Sequence, residues 1–249
     1  MNCKSTGYQQ ILDVYANDGY VAICAQTFAN TVGSQSNPYS KESGRVNEVI
    51  SNIISNPTIQ QSWSGKYLLH SGVSHGATSP IIAMARTSYD SNANWKGSLK
   101  TAACYYDGIY DSNAELNFLT TNACDNGKTP DVPIVNTQAY INRYCGVQTL
   151  CADFAQKSAD DTIVNVDPSV YDIKDWKLLS CGSGTTTYPC NWDVFPAVQI
   201  QILCDKIKSD GTHTCIYKDL PSPQSIHLTC ANTKSSECRQ WFDTLITQP

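Results

Sequence analysis

The stretch of sequence that decides the fold is KYLLHSGVSHG, residues 66–76. Its first part, residues 66–71, is mostly apolar or aromatic and predicts a buried strand. The strand runs directly into Gly72-Val73-Ser74-His75-Gly76, and a helix that ends near Thr87 follows. In a strand–turn–helix unit, glycines on both sides of a serine permit a sharp turn that presents the hydroxyl above the end of the sheet. We therefore interpret Ser74 as a candidate nucleophile.

The remaining chain alternates between apolar runs and helical patterns, which is typical of a largely parallel sheet flanked by helices. Further strands are predicted at residues 20–25, 99–106, 176–181 and 212–218. Further helices are predicted at residues 7–17, 43–55, 194–208 and 236–247. Residues 112–172 have weak periodicity, and we expect a lid or insertion between sheet strands there. The prediction is a single α/β domain over residues 1–249.

Composition narrows the class of protein. The 249 residues include 17 Lys and Arg against 22 Asp and Glu, a net charge of −5, and 41% of them are hydrophobic. That apolar fraction supports a sizeable core and argues against disorder. No apolar run reaches the roughly 18 to 20 residues that a membrane helix needs. Because the chain is acidic and its basic residues are scattered, we expect no nucleic-acid partner.

Cysteine is unusually frequent, with 12 residues in the chain. An even number at this density predicts disulfides and an oxidising compartment, either extracellular or periplasmic. The start of the chain does not have the pattern of a signal peptide. No CxxC motif occurs and no histidine lies at ligand spacing from a pair of cysteines, which argues against a zinc site. We expect no metal ion and no other cofactor. The simplest connectivity joins sequence neighbours: 3–24, 104–124, 145–151, 181–190, 204–215 and 230–238.

A serine nucleophile needs a general base, and the chain has four histidines. His70 lies within a predicted strand. His75 follows the serine too closely to fold back onto its hydroxyl, but its backbone N–H can donate a hydrogen bond to the developing oxyanion. His213 begins the last strand and is expected to be a surface or edge residue. His227 lies in the loop after that strand, so it reaches the carboxyl end of the sheet. We predict His227 as the base.

The base in turn needs a carboxylate to orient it and to stabilise its charged form. Asp193 lies in the loop after the strand at residues 176–181, at the same edge of the sheet. Asp107 and Asp111 follow the strand that ends at Tyr106 and are alternatives. Asp193 also precedes a helix, where it could simply be an N-cap residue. We predict Asp193 as the acid and keep these alternatives open.

The order Ser74, Asp193, His227 with a G-x-S-x-G turn resembles the α/β-hydrolase superfamily, of the secreted esterase, lipase and dienelactone-hydrolase-like kind. The resemblance extends over nearly the whole chain. It implies a serine hydrolase with an acyl-enzyme intermediate, in which the backbone N–H of His75 is one oxyanion donor. It also implies a second donor from the residues before the first helix, either Cys3 or Lys4.

Members of that superfamily usually place two or three strands before the helix at which this chain begins. The resemblance therefore implies a truncated or minimal sheet with an exposed edge, and an exposed edge can pair with a second copy to form a homo-oligomer. The expected substrate is a small-molecule or polymeric ester, with Phe118, Tyr140 and Tyr144 as candidate pocket residues or as packing beneath the insertion. The alternatives are a peptidase or thioesterase with the same triad, or a non-catalytic binding protein.

Overall fold

Four parallel strands in the order β1-β2-β3-β4 form the centre of the structure. The computed structural model describes residues 3–4, 6–25, 39–73, 76–77, 80–81, 84, 99–106, 166–180, 197–220 and 236–247. The strands are β1 (Tyr67–Val73), β2 (Lys100–Tyr106), β3 (Ile173–Ser180) and β4 (Thr214–Asp219). Each strand pairs in parallel with the next along the chain. The predicted parallel sheet is therefore present.

Helices lie before, between and after these strands, as parallel pairing requires. They are α1 (Thr6–Asn17), α2 (Tyr39–Ser55), α3 (Pro57–Ser62), α4 (Ala197–Lys208) and α5 (Ser236–Thr247). Helical backbone also occurs after β1, at residues 76–77, 80–81 and 84. A short 3₁₀ helix, Pro168–Tyr171, leads into β3.

The two faces of the sheet are covered by different helices. Ala103 and Tyr105 of β2 face a cluster formed with α2, α4 and the helical residues after β1. Cys104 and Tyr106 face the opposite cluster, which α1 and α5 complete. Because successive strand residues point to opposite faces, β2 is buried on both sides. The described elements therefore form an α/β arrangement of three layers.

The predicted strand at residues 20–25 is wrong. These residues have no strand structure, and Val21 and Ile23 are 39% and 41% exposed. An apolar run becomes a buried parallel strand only when strands flank it, and no described strand pairs with this segment. Instead, a disulfide to Cys3 holds Cys24, and the Tyr20 hydroxyl donates a hydrogen bond to Asp243 of α5.

Six cysteines are described, and all six form disulfides. The predicted pairs Cys3–Cys24 and Cys204–Cys215 are confirmed. The predicted pairs 104–124 and 230–238 are wrong, because Cys104 is bonded to Cys238. Cys104 lies on the face of β2 that α5 covers, so its partner is close in space and 134 residues away in sequence. The six remaining cysteines lie outside the described residues.

Most of the predicted insertion, residues 112–165, also lies outside the described residues, together with Phe118, Tyr140 and Tyr144. Within the described ranges, β1 and β4 each pair with one neighbouring strand, so they are the outer strands of this sheet. Pairing of such an edge with a second copy stays a prediction. None of the described helices has the length and apolar character needed to span a bilayer.

Candidate active site

The turn after β1 brings two glycines into close approach. β1 ends at Val73, directly before Ser74, and the backbone is helical again at residues 76–77. A Cβ atom on Gly72 would lie 2.6 Å from the carbonyl carbon of Gly76, and closer still to its oxygen. Only a residue without a side chain fits there, because real Cβ atoms essentially never approach backbone so closely. The chain therefore turns sharply between the strand and the helix.

The carboxyl ends of the four strands lie along one edge of the sheet. Strand pairing aligns one residue from near the end of each strand in a row across this edge: Val73, Tyr106, Leu179 and Lys218. Ser74 follows β1 directly, Asp193 lies between β3 and α4, and His227 lies between β4 and α5. All three connecting segments leave the sheet at this same edge, which is where ligands bind in open parallel sheets.

The catalytic candidates themselves are not among the described residues. Those outside are Ser74, His75, Asp193 and His227, together with the alternative acids Asp107 and Asp111. Their roles therefore stay predictions, supported by the strand ends on either side of them.

Lys4 is described and lies exposed in a turn just before α1. Its neighbour Cys3 is bonded to Cys24, and the carbonyl of Cys3 accepts a hydrogen bond of 2.7 Å from the Gln9 side-chain amide. The turn is thus attached to both α1 and the segment that follows it. Because Ser74 lies outside the described residues, the role of Lys4 as an oxyanion donor stays a prediction.

The other two histidines, His70 and His213, lie among the described residues. The Nε2 atom of His70 is buried in β1, and burial lowers the pKa of this histidine to about 4. His213 was expected to be a surface or edge residue; it is only 8% exposed, which excludes the surface alternative, and it lies directly before β4, an outer strand of the described sheet. It precedes the amino end of β4, and its Nδ1 atom lies 2.5 Å from a carboxylate oxygen of Asp210. At about 3.3 Å per strand residue, that position is roughly 17 Å from the carboxyl edge.

Sequence reasoning missed two polar groups at the carboxyl edge. Tyr106, the last residue of β2, is buried, and its hydroxyl oxygen accepts a hydrogen bond from the backbone N–H of Cys238. Burial is the main cause that raises the pKa of Tyr106. Asp219, the last residue of β4, also has a raised pKa, chiefly because it is partly removed from water. In the sequence Tyr106 was just the end of an apolar run, and Asp219 only a charged residue after a strand.

Among the residues that the structure describes, no group of three His, Cys, Asp or Glu side chains is placed to hold a metal ion. Asp167 instead caps the 3₁₀ helix by accepting a hydrogen bond of 2.9 Å from the backbone N–H of Ser169. No family model and no curated protein matches the chain. The interpretation of the candidate site therefore depends on the sequence and the fold alone.

Proposed function

We propose that this protein is a serine hydrolase of the α/β-hydrolase kind that cleaves carboxylic esters through an acyl-enzyme intermediate. The observation that carries the proposal is the close approach of Gly72 to Gly76 at the end of β1. A glycine forced into such contact on the strand side of G-x-S-x-G is what a nucleophile elbow requires. A loop with an incidental serine has no need of this geometry.

The proposed reaction uses the groups at the carboxyl edge. The Ser74 hydroxyl attacks the ester carbonyl while His227 takes its proton, and the tetrahedral oxyanion accepts hydrogen bonds from the backbone N–H groups of His75 and Lys4. His227 then gives the proton to the leaving alcohol, so that an acyl-serine remains. Water attacks this ester with His227 again as base, which releases the acid and restores Ser74. Asp193 orients the imidazole throughout.

The parallel sheet and the order of candidates along the chain support this reading. Ser74, Asp193 and His227 follow β1, β3 and β4 in turn, and these strands end at one edge. The three described disulfides are typical of an oxidising compartment, which fits an extracellular or periplasmic enzyme. The substrate is expected to be a small-molecule or polymeric ester.

The test is covalent labelling with a fluorophosphonate probe, with the modified residue mapped by mass spectrometry. We expect one adduct, on Ser74, that is absent in Ser74→Ala and much slower to form in His227→Ala. Asp193→Asn should slow labelling, whereas the control change Asp205→Asn, at an exposed carboxylate of α4 that binds Lys208, should not. If folded wild-type protein is not labelled, the non-catalytic binding alternative replaces this proposal.

Labelling alone does not separate an esterase from a peptidase or thioesterase, because the three share the acyl-serine intermediate. Turnover of matched oxygen-ester, thioester and amide substrates with one acyl group separates them. We expect hydrolysis of the oxygen ester at the highest kcat/KM. Preferred turnover of the amide or the thioester would assign the corresponding alternative.

A further inference from the structure

Residues 21–25, which we call the strap, have neither helix nor strand structure. Just before them, Tyr20 packs against the buried cluster that α1 and α5 complete. Three residues later, Ile23 lies beside α2, whose buried residues belong to the cluster on the opposite face of the sheet. The strap therefore passes from one face of the sheet to the other.

The strap forms one wall of a shallow apolar cleft, and α2 and α3 form the other wall. The apolar side chains that line this cleft include those of Ile23, Val49, Ile53 and Ile59. The strap itself is not part of the core, since Val21 and Ile23 are 39% and 41% exposed. Release of the strap would therefore expose apolar side chains of α2 and α3 and leave both buried clusters in place.

A single covalent bond, from Cys24 to Cys3, attaches the strap to the start of the chain. Hydrogen bonds hold the residue before it: the Tyr20 backbone N–H donates to the carbonyl of Tyr15 at 3.2 Å, and the Tyr20 hydroxyl donates to Asp243. Within the described ranges, no hydrogen bond joins residues 21–25 to another part of the chain. The disulfide is thus the attachment that holds the strap beyond Tyr20.

The other end of this disulfide stays on α1 when the bond is broken. The carbonyl of Cys3 accepts a hydrogen bond of 2.7 Å from the side-chain amide of Gln9, which is a residue of α1. This hydrogen bond does not depend on Cys24. Cleavage of the disulfide would therefore release the strap and not the turn before α1.

The Cys3–Cys24 bond is also the most accessible of the three described disulfides. Cys3 and Cys24 are both half-buried, whereas Cys104, Cys238 and Cys204 have no exposed surface. Thiol–disulfide exchange requires a thiolate to reach one of the two sulfur atoms. A reductant should therefore cleave Cys3–Cys24 before the other two.

We propose that the Cys3–Cys24 disulfide is a redox-sensitive latch: a dithiol reductant opens it and releases the strap from α2 and α3 while the sheet stays folded. One thiolate of the reductant attacks a sulfur of the disulfide, the S–S bond breaks, and a mixed disulfide forms. The second thiolate attacks the reductant sulfur of this mixed disulfide and releases the protein cysteine. Two electrons and two protons thus pass to Cys3 and Cys24, and the reductant becomes a disulfide. The latch does not depend on the proposed hydrolase activity.

The first experiment measures the order in which the described disulfides are reduced. Folded protein is treated with limiting dithiothreitol, free thiols are alkylated, and mass spectrometry identifies the labelled cysteines. We expect Cys3 and Cys24 to be labelled at least about tenfold faster than the cysteines of the two less accessible disulfides. Equal or earlier reduction of Cys104–Cys238 or Cys204–Cys215 overturns the proposal.

The second experiment measures release of the strap by proteolysis with elastase, which cleaves after small aliphatic residues such as Val21, Ala22 and Ala25. A protease needs a segment that can leave the folded surface, so we expect dithiothreitol to speed cleavage within the strap of wild type at least about tenfold. The double variant Cys3→Ser, Cys24→Ser should be cleaved at the fast rate without reductant.

Addition of dithiothreitol to this double variant is the control for the other disulfides, and it should not speed cleavage of the strap further. If the double variant does not fold, wild type at limiting dithiothreitol, with Cys104–Cys238 still oxidised, takes its place. Slow cleavage of the strap after Cys3–Cys24 has opened overturns the proposal.

Exposure of the cleft is measured with ANS, a dye that fluoresces on exposed apolar surface. We expect its fluorescence to rise at least about threefold in the double variant relative to oxidised wild type. Ile59→Gln in the same background should reduce this rise, because Ile59 lines the cleft and lies on α3, which has no buried residue. Ile202→Gln is the matched control, at an isoleucine of α4 that is 48% exposed, and should leave the rise unchanged. Equal fluorescence of oxidised wild type and double variant would show that the strap still covers the cleft, which overturns the proposal.

Discussion

Gly72 and Gly76 are so close that the space for a side chain on Gly72 is filled by the carbonyl group of Gly76. The first glycine is the sixth residue of β1, and the second lies where the backbone has become helical. The contact is between backbone atoms, which cannot move aside as the end of a flexible side chain can. The close approach of the end of β1 to the helical backbone at Gly76 therefore depends on the missing side chain at residue 72.

Substitution at these two glycines should have opposite effects. Gly72→Ala forces the strand and helix apart, and we expect a loss of about 3 kcal/mol in the free energy of unfolding, the upper end for overpacking. Gly76→Ala meets nothing within 4 Å. Because alanine is the better helix former, that variant should be unchanged or more stable by up to about 1 kcal/mol. Denaturant unfolding measures both, and equal stability of the two variants would contradict the close approach.

Acid should destabilise the protein in a window set by His70. Its pKa is lowered from 6.5 to about 4 by burial, so between these values the unfolded chain binds more protons than the folded one. Stability therefore falls as the pH drops from 6.5 to 4, by at most about 1.4 kcal/mol per pH unit. His70→Gln should have a flatter pH dependence in this window, as measured by urea unfolding. If stability falls with the same slope in wild type and His70→Gln, His70 is not the cause of the pH dependence.

The two disulfides that involve strands should differ in their contribution to stability. Cys104–Cys238 closes a separation of 134 residues, and Cys204–Cys215 closes one of 11. On loop-closure grounds, removal of the first by paired alanine substitution should cost about 4 to 5 kcal/mol, and removal of the second about 3 kcal/mol. Thermal unfolding without reductant ranks the variants. The reverse order would show that the long crosslink does not constrain the unfolded chain.

The hydrogen bond from Tyr20 should be measurable as a coupling energy. The Tyr20 hydroxyl lies 2.5 Å from an Asp243 carboxylate oxygen and joins the segment after α1 to α5. Tyr20→Phe should lose about 1.5 to 3 kcal/mol of unfolding free energy, the range for a hydrogen bond to a charged group. Combination with Asp243→Asn should cost less than the sum of the two single changes. Strict additivity would show that the two side chains do not interact in solution.

The strand β2 was predictable because residues 101–106 include no charged side chain, whereas β3, which was predicted from residue 176, begins three residues earlier at Ile173. All but the first residue of β2 is buried, and β3 is buried over its last five residues. A strand enclosed on both faces has no polar side, so composition alone marks it. The same rule failed at residues 20–25, because an apolar run does not reveal whether strands lie beside it.

The short helix α3 was missed although its start carries local signals. Asn56 caps it by accepting hydrogen bonds from the backbone N–H groups of Thr58 and Ile59, and proline occupies the first turn. Asn followed by Pro is a known helix start. The helix has only six residues, too few for hydrophobic periodicity to show.

By itself the sequence determined the glycine–serine turn after β1 and the alternation of strands and helices, because these depend on residues close together in the chain. The serine, acid and base candidates followed from the same local patterns. Only the tertiary structure decided that Cys104 bonds to Cys238 and that Glu237 joins Lys177 to Lys218. Those pairs depend on which face of a strand α5 covers, and that choice is made by the packing of the whole sheet.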